Sequence, residues 1–156
     1  MNDMALVELQ RPAGVGRYEW QPYLRDNSFT YGWWHRLWDL SGRYSLWSAL
    51  LDGVEVARVE LDDEVSYDHY TRVPALGPSV LEVDFFEVSS TMRCRGIGRQ
   101  VLRGLARRFP DRRLVAFSEE ADDFWSGLGW TRYDHPEGFP AYRPFFVAPV
   151  GWPSGR

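Results

Sequence analysis

Blocks of apolar and polar positions along the chain predict a series of short elements. Met4 to Gln10 alternates loosely, which predicts a first strand. The apolar runs Tyr44 to Leu51 and Val54 to Leu61 flank Asp52-Gly53, a two-residue turn signal that predicts a β-hairpin. The polar, Pro-containing stretch that follows predicts a loop, and the dense apolar run Val80 to Val88 predicts a central strand.

Two other segments have apolar residues at helical spacing. Arg99 to Phe109 has apolar residues three and four apart and stops before Pro110, which predicts a helix. The aromatic-rich segment Tyr18 to Leu40 is broken by Pro, Asn and Gly and predicts short helical pieces. Its expected buried stripe consists of Trp34, Leu37 and Trp38.

The second half of the chain predicts alternating strands and helices. Leu114 to Phe117 predicts a strand, and Ser118 is expected to cap a helix that runs to about Leu128. Trp130 to Tyr133 predicts another strand, and Ala141 to Ala148 a last one, interrupted by Pro144 and therefore expected at an edge. The order of elements predicts a mixed α/β sheet with helices packed against it.

Composition and charge narrow the range of ligands expected for the chain. The chain has 156 residues, enough for one domain, with a formal net charge of −4. All 18 basic residues are arginine, a bias interpreted as compositional. Eight of them lie in residues 93–113 beside a single acid, so that window carries +7 and the rest −11. This distribution favours one small anionic ligand and argues against a nucleic-acid partner.

Several classes of site and location are disfavoured. No apolar run reaches the ~18 residues of a membrane span, and the first residues lack the pattern of a secretory signal. The single Cys94 has no disulfide partner within the chain, so a cytoplasmic location is expected. Three scattered histidines (His35, His69 and His135) lack metal-ligand spacing, so no metal is predicted.

A glycine turn between a strand and a helix is the most informative segment. Arg93-Cys94-Arg95-Gly96-Ile97-Gly98 follows the strand that ends at Val88 and leads into the predicted helix. Two glycines allow a ligand to approach the backbone, and the first helical N–H groups have no partner inside the helix. With Arg99 beside them, these groups predict an anion site suited to a diphosphate; a turn with solvated arginines is the alternative.

Two motifs resemble a known family. Arg93 to Gly98 is similar to the Gln/Arg-x-x-Gly-x-Gly/Ala signature of the GNAT superfamily of acyl-CoA-dependent N-acyltransferases. Ser118 to Trp130 resembles that family's Asn-x-x-Ala-x-x-Leu-Tyr-x-x-x-Gly-Phe segment through Ala121, Phe124, Gly129 and Trp130. Two positions depart from the segment, because Ser118 replaces Asn and Trp125 replaces Tyr.

The resemblance implies a fold and a division of the chain. It implies a single-domain GNAT-like α/β fold over residues 1–156, with a mostly antiparallel central sheet whose strands splay and are flanked by helices. Residues 1–50 would form substrate-side helices and residues 54–133 the CoA-binding core. The Pro/Gly-rich residues 135–156 either wrap over a second copy in a homodimer or fray.

The resemblance also implies acetyl-CoA as cosubstrate. The backbone of Glu87 and Val88 would bind the pantetheine arm as an added strand would, and the backbone of Arg93 through Arg99 would hold the diphosphate. Ser118 would lie near the pantetheine, and Trp125 would occupy the place of the tyrosine that usually protonates the departing thiolate. Since an indole N–H is not a practical proton donor, Tyr133, Tyr142 or solvent would have to supply that proton.

Candidate catalytic groups lie on the central strand. Alternation puts Glu82, Asp84, Phe86 and Val88 on one face. Glu82 resembles the catalytic glutamate of the histone-acetyltransferase branch, and Asp84 or a water chain is the alternative base. The non-catalytic alternative is that Glu82 and Asp84 lie at the solvent-exposed edge of the sheet or form ion pairs with arginines. The N–H of Val88 is the candidate donor to the thioester oxygen.

The predicted reaction is direct transfer of acetyl to a primary amine of a small molecule or peptide. Aromatic residues of the first helices would either line the acceptor pocket or pack in the core: Tyr31, Trp33, Trp34 and Trp38. Asp62, Asp63 and Glu64 would attract an amine or form a solvated acidic turn. The departures at Ser118 and Trp125 leave a second alternative, a GNAT-fold module that binds CoA or acyl-CoA with little catalysis.

Overall fold

The computed structural model describes residues 3–36, 38 and 41–153, which divide into two compact units. The first unit comprises Met1–Leu61 with Phe85–Gly104, and the second comprises Asp62–Asp84 with Leu105–Arg156. The strands are β1 (Met4–Leu9), β2 (Tyr44–Leu51), β3 (Val54–Asp62), β4 (Val80–Val88), β5 (Arg113–Phe117), β6 (Thr131–Tyr133) and β7 (Phe145–Val147). The helices are α1 (Tyr31–Trp34), α2 (Ile97–Arg108) and α3 (Asp122–Gly127), with one 3-10 turn at Gly77–Ser79.

The strands of the first unit hydrogen-bond in the order β1, β2, β3 and the end of β4. The β2–β3 hairpin closes at Asp52 and Gly53, whose φ angles of 51° and 78° are both positive. Such angles form the two-residue turn that matches the twist of hairpin strands, so the predicted hairpin is confirmed. β1 pairs antiparallel with β2 in a register from Met4–Leu51 to Leu9–Leu46.

The strands of the second unit follow the order β4, β5, β7 and β6. β4 and β5 are parallel, with Glu82 opposite Val115, whereas β7 is antiparallel to both of its neighbours. The expectation that the last strand lies at an edge was wrong, since β7 lies between β5 and β6. Pro144 precedes the strand, so its missing N–H removes no hydrogen bond between β7 and its neighbours. Its carbonyl oxygen accepts the Ser118 N–H at 2.8 Å.

Each unit has its own apolar core. The core of the first unit contains Tyr23, Phe29, Trp34, Trp38 and Leu46. The core of the second contains Leu76, Val80, Val115, Phe145 and Val147, against which loop residues 65–73 pack several aromatic and branched side chains. Buried apolar area of this kind provides most of the stabilisation of a fold.

The helices differ from expectation in the N-terminal region and at α3. In the segment expected to hold several short helical pieces, the described residues form one α-helix, α1, and Leu37 of the expected stripe lies outside the described residues. α3 begins at Asp122 and not directly after Ser118, because Glu120 has a φ of 57°, outside the right-handed helical region. Across the described ranges, no helix combines the length and the apolar character that crossing a membrane requires.

Candidate functional site

The glycine turn of the first unit leads from β4 into the buried first residue of α2. Cys94 and Gly96 adopt positive φ angles of 61° and 73°, which turn the chain back toward the helix. Ile97 is buried, and the N–H of Gln100 donates to the Gly96 carbonyl at 3.1 Å in the first helical turn. The N–H groups that precede this bond lie at the N-terminus of a 12-residue helix. They have no partner inside the helix and face outward at the positive end of its dipole.

The surface of this turn is exposed and positive. Arg93, Arg95 and Arg99 are all exposed, and a Cβ placed on Gly96 would meet no atom within 4 Å. A ligand oxygen can thus approach the backbone at Gly96 without displacing a side chain. These features suit the diphosphate of a nucleotide cofactor.

Arg93 also joins the turn to the end of β4. Its Nε donates to the Val88 carbonyl at 3.4 Å, and its Nη2 lies 3.5 Å from a carboxylate oxygen of Glu87. The next N–H group, that of Ser89, donates to the Val56 carbonyl at 2.8 Å. The predicted role of the Glu87 and Val88 backbone in holding a pantetheine arm stays a prediction.

The Glu87 side chain has a structural role that the sequence analysis did not foresee. Its Oε1 accepts the Thr30 N–H at 2.9 Å and the Trp34 Nε1–H at 2.7 Å, and its Oε2 accepts the Thr30 hydroxyl at 2.7 Å. The carboxylate therefore ties α1 to β4 within the first unit. The available signal was a charge on the Val83–Phe85–Glu87 face of β4, where an apolar side chain would be expected.

The Glu82 carboxyl in the second unit is buried and has a raised pKa. The pKa of Glu82 is raised to about 8, first by burial and then by the negative charges of Asp84 and Asp62 and a hydrogen bond with Asp84, while Arg143 opposes the shift. Asp62 itself is buried, so the expected solvated acidic turn does not begin there. A carboxyl that titrates near neutral pH is suited to accept a proton in catalysis.

Ser118 lies at the end of β5 with its side chain directed to the turn before α3. It is 1% exposed, and its hydroxyl oxygen accepts the Ala121 N–H at 3.1 Å. The hydroxyl proton remains able to donate to one further acceptor. The predicted contact of Ser118 with a pantetheine arm stays a prediction.

Trp125 belongs to an aromatic cluster in the second unit. It is buried on α3, with its ring 5.0 Å from Phe124 and 4.9 Å from Trp130 between centroids. Trp130 in turn contacts Trp152 at 5.4 Å. This packing gives the indole a core role, and its predicted position beside a leaving thiolate stays a prediction.

The N-terminal aromatic residues divide between core and surface. Trp34 and Trp38 are buried in the core of the first unit, and Trp33 and Phe85 pack against that core with their rings 5.6 Å apart. Tyr31 is 57% exposed and stacks on His35 at 4.6 Å. Of the four candidates for an acceptor pocket, Tyr31 is thus the one on the surface. Among the residues described, no group of three or more histidine, cysteine or acidic side chains is placed to hold a metal ion.

Comparisons with known proteins identify the fold. No protein-family model and no curated protein matches the chain. A solved acetyltransferase from Thermus thermophilus is 16% identical, with a TM-score of 0.53 over 70% of this chain and 66% of that one. An aminoglycoside acetyltransferase in complex with coenzyme A is 16% identical, with a TM-score of 0.50 over 68% and 66%.

A structure described as a bacterial toxin is also similar, at 15% identity and a TM-score of 0.51 over 69% of this chain and 68% of that one. The chain matches slightly less than two thirds of the length of the two acetyltransferases. Identities this low establish the fold and leave the activity to be argued from the site. The order of the strands and these structural matches show that the chain has the fold of the two solved acetyltransferases.

Proposed function

We propose that the protein is an N-acetyltransferase that transfers the acetyl group of acetyl-CoA to a primary amine. The observation that carries this proposal is the exposed, arginine-rich turn at the start of α2, within a fold shared with acetyltransferases. The similar aminoglycoside acetyltransferase was solved with coenzyme A, which supports CoA as the ligand of this turn. The diphosphate binds the backbone from Arg93 to Arg99, and the arginine side chains neutralise its charge.

The reaction requires proton transfers at the amine and at the leaving sulfur. The ammonium gives up one proton to the base to become a neutral amine, and its nitrogen then attacks the thioester carbonyl carbon. As the carbon–sulfur bond breaks, the nitrogen loses a second proton to form the amide, and the departing CoA thiolate takes up one proton. We assign Glu82 as the base, because its pKa of about 8 makes proton uptake favourable near neutral pH.

Two further groups support this chemistry in the proposal. Asp84 shares a hydrogen bond with Glu82, and its negative charge makes Glu82 a stronger base. The Val88 N–H donates to the thioester oxygen, where negative charge develops during attack. Tyr133, Tyr142 or solvent protonates the thiolate in place of Trp125, whose indole cannot supply a proton.

A second candidate function is a module that binds CoA or acyl-CoA and turns it over slowly. The observation that favours it is the burial of Trp125 among aromatic rings, at the position where the family places an acidic tyrosine. CoA thiolate is a good leaving group, so this replacement weakens the chemistry without excluding it. Measured turnover separates the two candidates.

The test combines a binding measurement with a turnover measurement. CoA should raise the melting temperature of the protein, whereas pantetheine, which lacks the diphosphate, should not. Arg95→Gln should reduce the shift, and Arg107→Gln, which removes the same charge at the far end of α2, should not. Amine-dependent release of the CoA thiol from acetyl-CoA would establish the transferase. Stabilisation without thiol release for any amine of a broad panel would favour the binding module, and no stabilisation would overturn both.

A further inference from the structure

A cavity of about 550 Å³ lies within the second unit. Its walls come from the loop between β3 and β4, from the end of β5 and from the loop between β6 and β7. Its volume lies within the range of pockets that bind small molecules. The lining residues that matter for recognition are Asp68, Tyr70, Phe117, His135, Tyr142 and Arg143.

Several aromatic rings lie in the wall and contact one another, beside polar groups that supply more of its surface. His135 and Tyr142 are stacked, with centroids 3.5 Å apart and planes inclined by 10°. Tyr70 stands nearly perpendicular to both, at 5.4 Å from His135 and 6.4 Å from Tyr142. The Tyr70 hydroxyl donates to the Arg143 carbonyl at 2.6 Å, which joins the two loops. Rings held at these angles offer faces and edges against which an aromatic ligand can pack.

His135 adds a directed hydrogen-bond donor to this surface. The side chain is 9% exposed, and its Nδ1 accepts the Glu137 N–H at 3.1 Å. Since Nδ1 is an acceptor, the neutral ring carries its proton on Nε2. Nε2 has no hydrogen-bond partner within residues 3–36, 38 and 41–153, and the residue lines the cavity. The cavity wall therefore offers a ring N–H donor that a polar group of a ligand can satisfy.

Phe117 and Arg143 of the cavity wall relate the cavity to Glu82. Glu82 is opposite Val115 in the parallel ladder, and Phe117 of the cavity wall is two residues further along the same face of β5. Two residues of strand span about 7 Å, roughly the length of a short amine linker. Arg143 lines the cavity and also acts electrostatically on Glu82.

The charge of the lining suits a ligand with a single amine. Asp68 and Arg143 are of opposite sign, and Arg143 also lies 3.6 Å from Glu119. A polycation would need an excess of carboxylates along the walls, whereas the charges of this lining are balanced. An aromatic group occupies such a surface with favourable stacking and without an unpaired charge.

We propose that this cavity is the acceptor pocket and that it selects primary amines joined by a short linker to a planar aromatic ring. The ring packs against Tyr70, Phe117 and Tyr142, a polar ring substituent accepts the His135 Nε2–H, and the amine points toward Glu82. The assignment of the cavity as acceptor pocket rests on the proposed acetyltransferase function. Recognition of the ring is a binding property that can be measured separately.

Calorimetric titration of the full chain with 2-phenylethylamine, hexylamine and spermidine tests the inference, in the presence of CoA. Hexylamine has similar basicity and no ring, and spermidine represents the polycations. We expect 2-phenylethylamine to bind about ten-fold more tightly than either. Tyr142→Leu should weaken its binding about ten-fold, while Tyr142→Phe keeps the ring and the affinity. Tyr18→Leu, which removes an exposed ring of the first unit, is the matched control and should change nothing.

Equal binding of hexylamine, unchanged binding in Tyr142→Leu, or no binding of 2-phenylethylamine would each overturn the inference. Turnover provides an independent measurement. If 2-phenylethylamine is acetylated, Tyr142→Leu should raise its KM about ten-fold. Ring-selective binding without any thiol release would contradict the proposed function while confirming the recognition of the ring, so the two failures can be distinguished.

Discussion

Two glutamates of β4 are equally buried, each with 8% of its surface exposed, but their surroundings are opposite. Glu87, in the first unit, accepts three hydrogen bonds from Thr30 and Trp34 and lies near Arg93. Glu82, in the second unit, faces the negative charges of Asp84 and Asp62, which with burial raise its pKa to about 8. Burial alone therefore does not reveal a carboxylate's role.

The comparison shows how one strand can carry both a structural and a chemical group. A carboxylate whose lone pairs accept hydrogen bonds from several donors fixes the elements around it. A carboxyl crowded by like charges holds its proton more tightly, and it can exchange that proton near neutral pH. Mutation of Glu82 should therefore affect mainly activity, and mutation of Glu87 mainly stability.

Replacement of Glu82 should have the largest effect. We expect Glu82→Gln to lower kcat by about 10²–10⁴-fold, because the amine loses its proton acceptor, with CoA affinity retained. In the wild type, activity should rise as pH increases through about 8, since Glu82 must be ionised to act as base, and the variant should lack this rise. Steady-state kinetics from pH 6 to 9 check both points, with Glu19→Gln at an exposed position of the first unit as control. Full activity in Glu82→Gln would contradict its assignment as base.

Replacement of Glu87 should affect stability. Glu87→Ala leaves the Trp34 indole N–H and two donors of Thr30 without their acceptor, which should reduce the free energy of unfolding by about 3–5 kcal/mol. Glu87→Gln keeps one carbonyl oxygen as acceptor and should cost less. Urea denaturation followed by tryptophan fluorescence measures both variants. A loss below about 1 kcal/mol in Glu87→Ala would show that α1 does not depend on this carboxylate.

The smallest expected effect is the pH dependence of stability due to Glu82. Its folded pKa of about 8 lies above the ordinary 4.5, so between these values the folded chain keeps a proton that the unfolded chain releases. Stability from this group is thus complete below pH 4.5 and is lost as pH rises toward 8. From pH 5 to 8 the wild type should lose roughly 3 kcal/mol more than Glu82→Gln. Parallel urea-denaturation profiles of the two proteins would argue against a raised pKa.

Local signals in the sequence predicted most of the fold. Asp52-Gly53 specifies its turn through its own backbone angles, and the bounds of β4 follow from one run rich in apolar residues. The two motifs that resemble GNAT sequences are also local, and the fold they implied is confirmed. Phe145 to Val147 shows the limit, since Pro144 indicated an edge strand while the position of β7 depends on pairing with two strands distant in the chain.

The parts of the candidate site that escaped prediction depend on distant contacts. The partners of Glu87 lie 53 and 57 residues away, so no spacing in the sequence reveals them. The burial of Asp62 beside Glu82 and the cavity between two loops depend on how the second unit folds. The strand–turn–helix arrangement at Arg93 to Gly98 could be predicted, because its elements are consecutive.

The position of β7 has a consequence for the way the second unit assembles. β6 is made before β7 and pairs with it, while the other side of β7 pairs with β5. The short β6 therefore cannot join the sheet until the chain has returned and β7 has inserted beside β5. Such delayed, long-range pairing slows folding, so this half of the sheet should form late and expose the edge of β5 in the meantime.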